Sequence, residues 1–412
     1  MKKLVFIVSL LFSYIASSQD SIPSTHVNKL NTNYKDFEII NNEIYAITNG
    51  DSLVVWNTKK DAIKILRNNV TAIAKNSNNI LYCTTTENDI LYYNLNNKWE
   101  KYNSYEGKAF EIFITKDNKP IVIHNKGVFY DKKIYQPEPS VIYRPKRNSE
   151  SGIMFLRKPH VTYLDAKNRI WLTYDNGEWG TEIWFFDLKT KSFFEEEFLD
   201  IEVSYNRFEK DNWERYRSEV ISAFPKKIMI IKSDTLYKFP AELPIYRGIK
   251  GITEDSKGNI YLSQSLMHFD INGGIEKMEV TNFKDFYKYV SLEHLLDDEV
   301  ETVEFEDKNG NINSHQYLAG KEYLGTINYN SFNNSIYYYT NNGFFKIIET
   351  KNEYSKKLII KLNLTWLYGL SNSVGYQMAV KKFEFIDKTR FIFLTNANGI
   401  GYYDGKQVKY YK

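Results

Sequence analysis

Residues 255–263 read Asp-Ser-Lys-Gly-Asn-Ile-Tyr-Leu-Ser, and residues 165–173 read Asp-Ala-Lys-Asn-Arg-Ile-Trp-Leu-Thr. Each is a polar turn that runs into an apolar and aromatic stretch, the signature of a tight turn entering a β-strand. The same shape recurs over 76–84, 330–340 and 387–395, and more weakly over 41–48, 117–124 and 225–232. The strands so opened begin at Ile44, Ile80, Ile121, Ile170, Ile228, Ile260, Ile336 and Phe391. Eight copies in this length give about 49 residues each, close to a four-stranded propeller blade. Four strands can be drawn in the copies: 70–74, 80–84, 90–93 and 99–102 in the second, and 249–253, 260–264, 266–269 and 275–280 in the sixth. One small twisted sheet cannot bury both faces alone, so neighbours must stack and supply each other's core. The expectation is an all-β fold: a single β-propeller of eight four-stranded blades, with seven as the alternative.

Composition agrees. Aromatic residues make up 16% of the chain, with 33 Tyr and 26 Phe, which suits pleated strands better than helices. A net charge of +3 over 412 residues supplies no concentrated basic face, which argues against nucleic acid as a partner. Lys2 and Lys3, the apolar run from Leu4 to Ile15 and the small residues Ala16-Ser17-Ser18 read as a secretory signal peptide over 1–18, cleaved before Gln19. Its removal takes away two lysines and no acid, lowering the net charge to +1. The remainder, 19–412, is read as the propeller domain, exported to the periplasm, the outer membrane or the medium, with no transmembrane segment. Cys83 is the single cysteine, so no disulfide framework exists within the chain, and its apolar strand context implies a buried, inert thiol.

Three stretches resemble the two-component-regulator propeller repeat: Asp255 to Tyr261, Asp165 to Leu172, and Asn398-Gly399-Ile400-Gly401-Tyr402-Tyr403-Asp404. In that repeat an Asp-x-x-Gly-Asn turn leads into Ile-Trp, then a Thr, a Gly and an aromatic-Asp end. Here Tyr261 takes the place of the Trp in one copy, and Asn168 takes the place of the turn Gly in another. The resemblance implies a propeller, and it implies a kinship with the exported sensor part of hybrid histidine kinases, although these 412 residues contain no kinase segment.

Four long segments interrupt the repeats: 136–157, 200–217, 281–320 and 362–375. All are assigned to connections from the outermost strand of one blade to the next blade, so they should crowd one face, where ordered long loops carry function. Within 281–320, the apolar spacing over 283–298 predicts a short helix, and 300–305 with 312–318 predicts a hairpin. The turn Asp307-Lys308-Asn309-Gly310-Asn311 fails as a calcium loop, because Gly310 is in the fourth place and Leu318 stands where the bidentate acid belongs.

Large side chains on these and neighbouring loops are the candidate binding residues: Trp179, Trp213, Tyr216, Tyr287, Trp366 and Tyr368. Weak metal candidates are His124 and His160 at the insertion-bearing ends of adjacent blades, with Asp175; no HxH or HExxH pair fixes a geometry. No phosphate loop or nucleophile elbow occurs, so no catalytic residue and no cofactor are assigned. The expected function is that of a non-enzymatic exported scaffold or envelope-complex subunit with a protein partner. The alternatives are a sensor for a glycan or small ligand, and a propeller enzyme such as a glycan lyase or hydrolase.

Overall fold

The computed structural model describes residues 22–94, 97–137, 156–176, 181–195, 200–204, 229–230, 236–240, 247–267, 271–280, 287–296, 300–306, 312–318, 322–351, 353–362, 364, 367–368, 376–377 and 380–412. They form a single all-β propeller of seven four-stranded antiparallel blades. In each blade four consecutive strands, a to d, run outward from the axis. Blade 1 is Tyr34–Ile40, Glu43–Thr48, Leu53–Asn57 and Ala62–Arg67, and blade 2 is Val70–Lys75, Leu81–Thr85, Asp89–Tyr93 and Trp99–Ser104. Blade 3 is Ala109–Ile114, Pro120–His124, Gly127–Tyr130 and Lys133–Tyr135, and blade 4 is Val161–Leu164, Arg169–Asp175, Thr181–Asp187 and Ser192–Glu195. Blade 5 is Gly248–Glu254, Ile260–Met267, Ile271–Val280 and Tyr287–Ser291. Blade 6 is Leu324–Asn330, Ser335–Thr340, Gly343–Glu349 and Tyr354–Ile360, and blade 7 is Val380–Phe385, Phe391–Thr395, Ile400–Tyr403 and Val408–Tyr411.

The core confirms closure. Each buried apolar cluster joins two consecutive blades, and the one built on Phe37, Trp56, Leu394 and Tyr411 joins blade 1 to blade 7. Outside blade 7, Ser24–Val27 adds a fifth strand parallel to Val408–Tyr411. Cys83 lies in the core between blades 1 and 2, where burial pushes its thiol up to about 12. Among the described residues no helix is long and apolar enough to cross a membrane.

The expected eighth blade does not exist. Of the copy over 225–232 the described residues are the short strand Met229–Ile230, which pairs with Leu236–Pro240. That strand pairs with Asp200–Ser204, which runs parallel to Tyr287–Ser291, so the segment widens the sheet of blade 5 to seven strands. The repeat was overcounted because a hairpin added at a sheet edge carries the same apolar alternation as a blade strand. It lacks the turn acceptor seen in the copies of blades 2, 4 and 5. In those, a side-chain oxygen closes the turn between strands a and b: Asp165 Oδ1 accepts from Arg169 N at 2.8 Å, Asp255 Oδ1 from Asn259 N at 3.0 Å, and Asn76 Oδ1 from Ile80 N at 2.8 Å. Asn168, Gly258 and Asn79 then take positive φ (63°, 84° and 60°), which Asn and Gly tolerate best. No Asp or Asn stands in the corresponding place before Ile228.

Blade 5 also departs from its expected strands. Leu266 and Met267, expected to open a third strand, prolong the second, and Ile271–Val280 is the third; 268 and 269 lie outside the described residues. Residues 281–286 therefore fall between the third strand and the fourth, and this part of the expected insertion does not follow an outermost strand. The helical spacing over 283–298 yields strand Tyr287–Ser291 and one 3-10 turn, Glu293–Leu295. Leu292, Leu295 and Leu296 are buried between blades 5 and 6, because a strand edge followed by a tight turn can present the same apolar spacing to a core. The expected hairpin is present as Val300–Glu306 with Ile312–Leu318; its turn lies outside the described residues.

Candidate functional site at the central channel

The turns between strands b and c share a face with the connections between blades, because the strands alternate in direction. A side-chain acceptor closes these turns too. The Thr48, Thr85 and Thr395 hydroxyls accept from Ser52 N, Asp89 N and Asn398 N at 3.1, 3.2 and 2.8 Å. Gly343 completes the turn in blade 6 at φ 127°, where a Cβ would collide with the Ile360 carbonyl oxygen. In blade 3 the threonine position is occupied by His124, whose Nδ1 accepts from Lys126 N at 3.3 Å. Its ring is fully buried, and burial lowers its pKa to about 4, so the imidazole is neutral and serves as a turn acceptor. His124→Thr should therefore be about 1 kcal/mol less damaging than His124→Ala, since it restores the acceptor; urea titration of the two variants checks this.

His160 behaves in a related way: its Nδ1 accepts from Asp175 N at 3.0 Å. Asp175 is held by Lys250, Nζ to Oδ2 2.7 Å. The three weak metal candidates thus each have a structural partner, and no group of three His, Cys, Asp or Glu among the described residues is placed to hold a metal.

The innermost strands place the charges that sequence reading missed. Six of them carry a register shift at their first residues, between Tyr34 and Asp36, Val70 and Ala72, Ala109 and Glu111, Ile249 and Gly251, Leu324 and Ile327, and Val380 and Lys382. Such a bulge bends the strand and re-aims the side chain of the extra residue. The charged residues that follow meet in the channel. Lys382 Nζ of blade 7 lies 3.0 Å from Asp36 Oδ1, 3.4 Å from Glu38 Oε1 and 3.2 Å from Glu384 Oε1, and donates to Phe37 O at 2.7 Å. Lys75 Nζ of blade 2 bridges Glu38 and Glu384, 3.0 Å from each. Three blades are therefore tied together by two ammonium groups and three carboxylates.

Burial opposes the Lys382 charge, but Asp36, Glu38 and Glu384 outweigh it and hold the ammonium well above its usual value. Glu111 of blade 3 faces this network, and its Oε1 accepts from Ile112 N of its own strand at 3.3 Å. Burial and then the Asp36 charge push it up to about 8. A signal for this cluster was present in the sequence: Lys35-Asp36-Phe37-Glu38 and Lys381-Lys382-Phe383-Glu384 repeat a charge-charge-Phe-Glu pattern in the strands that flank ring closure. On the opposite face a cleft of about 260 Å³ between blades 7 and 1 is lined by Asn42, Thr58, Lys59, Ile386, Arg390 and Tyr402, with Arg390 held by Asp387 at 2.6 Å.

Of the aromatic candidates, Trp179, Trp213, Tyr216 and Trp366 lie outside the described residues. Tyr287 opens the fourth strand of blade 5, and Tyr368 pairs with Tyr376 in a two-residue ladder. The side chains of both also lie outside what is described.

No protein-family model matches the chain, and no curated protein matches it. Solved structures of similar shape include one titled YCF48 bound to D1 peptide, with 7% identity, a TM-score of 0.47 and coverage of 89% of this chain and 90% of that one. Another is Hsv2 of Kluyveromyces lactis, with 8% identity, a TM-score of 0.42 and coverage of 92% and 97%.

Proposed function

We propose that the chain is an exported propeller that acts by binding, as a protein-interaction scaffold or envelope-complex subunit, through the face that bears the insertions. The observation that carries this reading is topological. Segments 136–157, 200–217 and 362–375, and the part of 281–320 that follows Ser291, each leave the outermost strand of a blade for the next blade. The outermost strands that they follow end on the face that also holds the turns between strands b and c. The channel network favours binding over catalysis, because three of its carboxylates are engaged by lysines and lock blades together. Export rests on the N-terminal residues, and N-terminal sequencing of the mature protein tests cleavage before Gln19; retention of Met1 on a membrane-bound product rejects it. The relation to the two-component-regulator propeller repeat rests on the turn and strand residues of the copies.

Deleting the whole of 281–320 is the wrong test, because it removes strand Tyr287–Ser291 and the buried Leu292, Leu295 and Leu296. Replacing the hairpin residues 300–318 by a short linker should leave the melting temperature within about 3 °C, since blades contact chiefly their neighbours. Capture of partners from native envelope, read by mass spectrometry, should then fail. Unchanged capture at unchanged affinity by the folded deletion variant rejects this face as the contact surface.

A further inference from the structure

Strands a and c of each blade end, and strands b and d begin, on the face opposite the turns between b and c. Six of the turns from c to d expose a lysine there: Lys59, Lys98, Lys132, Lys189, Lys351 and Lys406, from blades 1, 2, 3, 4, 6 and 7. Four turns from a to b expose another, Lys116, Lys167, Lys257 and Lys388, and these bring in blade 5. The aspartates of such turns are held against the backbone, because they are the turn acceptors. Asp187 Oδ1 accepts from Lys189 N at 2.7 Å, Asp255 Oδ1 from Lys257 N at 2.8 Å, and Asp404 Oδ1 from Lys406 N at 2.8 Å. Each carboxylate is drawn inward while the lysine two residues on is left in solvent. Among the described residues of these turns the exposed acids are Asp117, Asp131 and Glu353, and the first two are paired, with Lys119 at 3.4 Å and Lys191 at 2.8 Å. The turns therefore sort the charges, and a net charge of +3 for the whole chain conceals a basic face.

The same face carries exposed apolar side chains. Phe332, in the turn from a to b of blade 6, is 50% exposed, and Val280, where strand c of blade 5 ends, is 45% exposed. The turn that bears Phe332 is fastened. Phe332 N donates to Asn330 Oδ1 at 2.9 Å, Asn330 Nδ2 to Asp387 O at 3.1 Å, and Asn333 Nδ2 to Lys388 O at 2.8 Å. The cleft of about 260 Å³ between blades 7 and 1 opens here too and joins Lys59 and Arg390 in one recess. Strand Ser24–Val27 runs parallel to strand d of blade 7, so Pro23, whose carbonyl accepts from Val408 N at 3.0 Å, stands on this face. The apolar run from Leu4 to Ile15 therefore joins the ring on its basic side.

We propose that this face is a docking surface for a bilayer of anionic phospholipid, on which the ring lies flat with its lysines at the headgroup phosphates and Phe332 in the interface. The proposal goes beyond the contact role of the insertion face, which such docking would turn away from the lipid. Lysines near a negatively charged leaflet each add attraction, and an aromatic ring among them is at home at headgroup depth. A planar surface fits better than a linear acidic polymer for a geometric reason. The lysines come from every blade around the ring, so a flat layer of phosphates meets them together, whereas a single polymer strand crosses a few. Phe332 favours lipid as well, because the phosphate layer of a bilayer has an apolar layer beneath it and a soluble polyanion has none.

The test uses residues 19–412, which contain every described strand, so that the run from Leu4 to Ile15 cannot itself anchor the protein. The probes are vesicles of phosphatidylglycerol and phosphatidylcholine in equal parts, vesicles of phosphatidylcholine alone, and soluble polygalacturonate, read by co-sedimentation and competition. Mixed vesicles should bind the protein and neutral ones should not, and salt at about 1 M, where the Debye length falls to about 3 Å, should abolish binding. Lys189→Glu, Lys257→Glu and Lys406→Glu combined should weaken it at least tenfold at unchanged melting temperature. The same three lysines changed to Gln should weaken it at least threefold, which keeps the test open if the charge reversal disturbs the turns. Lys108→Glu with Lys361→Glu, exposed at the insertion-side ends of blades 3 and 6, should leave it within twofold. Phe332→Ser should weaken vesicle binding at least threefold at unchanged affinity for polygalacturonate, and the emission added by Phe332→Trp should move to the blue with mixed vesicles. Equal losses in the two sets of Lys→Glu variants reduce the effect to general charge attraction and overturn the proposal. So does an absence of binding to mixed vesicles, equal binding to neutral ones, full displacement by polygalacturonate at equal charge, or a Phe332→Trp emission that vesicles leave unchanged.

Discussion

Trp171→Ala should lower the stability of the ring by about 4 kcal/mol, seen in a thermal scan as a drop of roughly 5 °C. Trp171 sits in strand b of blade 4 with no solvent exposure. Its indole meets the Phe185 ring edge-on at 4.5 Å between centroids and lies in the core shared with blade 5. Its Nε1 donates to Asp165 Oδ2 at 3.0 Å, the same aspartate whose other oxygen closes the preceding turn. Truncation therefore opens a cavity at a blade interface and withdraws a hydrogen bond from a carboxylate that is only 3% exposed. Trp171→Tyr should lose less than half as much, because Tyr261 fills the equivalent place in the next blade. A loss below about 1 kcal/mol for Trp171→Ala would mean that the interface between blades 4 and 5 does not limit the stability of the ring.

Lys382→Met should come second, at about 2–3 kcal/mol near pH 8. Stripping one partner from a fully buried ion pair costs about 3–5 kcal/mol, and the 32% exposure of the Lys382 side chain reduces that here. Methionine keeps the stem that lies over Phe37, with the ammonium 5.1 Å from that ring, so the loss isolates the charge. Asp36, Glu38 and Glu384 would then face one another with Lys75 alone. The loss should shrink at pH 4.5, because Glu38, whose pKa burial raises, takes up a proton as the pH falls and then no longer needs the ammonium. An equal loss at both pH values would show that the contribution of Lys382 is packing.

Glu111 sets a pH trend of its own. Its folded value of about 8 lies above the ordinary 4.5, so between those values the folded chain holds a proton that the unfolded chain has released. The associated stability is complete below about pH 4.5 and is lost as pH rises through 8. Glu111→Gln should flatten that decline and raise the melting temperature at pH 8.5 by about 3 °C. A decline of unchanged slope in the variant would assign the trend to other groups.

The repeat was legible because its turns are local. An Asp or Asn whose oxygen reaches a backbone N–H a few residues on, followed by Asn or Gly at positive φ, is a short-range device, and it marks blades 2, 4 and 5 in the sequence before any packing is known. The blade count was less legible, because Met229–Ile230 and Leu236–Pro240 have strand chemistry without the turn acceptor. His124 shows the same limit in a single side chain. The sequence offers a histidine, and only the turn of blade 3 reveals that its Nδ1 does the work a threonine hydroxyl does in blades 1, 2 and 7.

The sequence by itself therefore determined the strand class, the propeller architecture, the buried thiol and the kind of connection that carries most of the insertions, since each follows from alternation, turn residues and order along the chain. The tertiary structure alone decided that the ring has seven blades, that Asp200–Ser204, Met229–Ile230 and Leu236–Pro240 widen the sheet of blade 5, and that Asp36, Glu38, Lys75, Lys382 and Glu384 share one site. The reason is separation. Lys75 and Glu384 are 309 residues apart, and nothing local ties them. Only when blade 7 closes on blade 1, and the bulged inner strands turn these side chains toward the axis, do their charges meet.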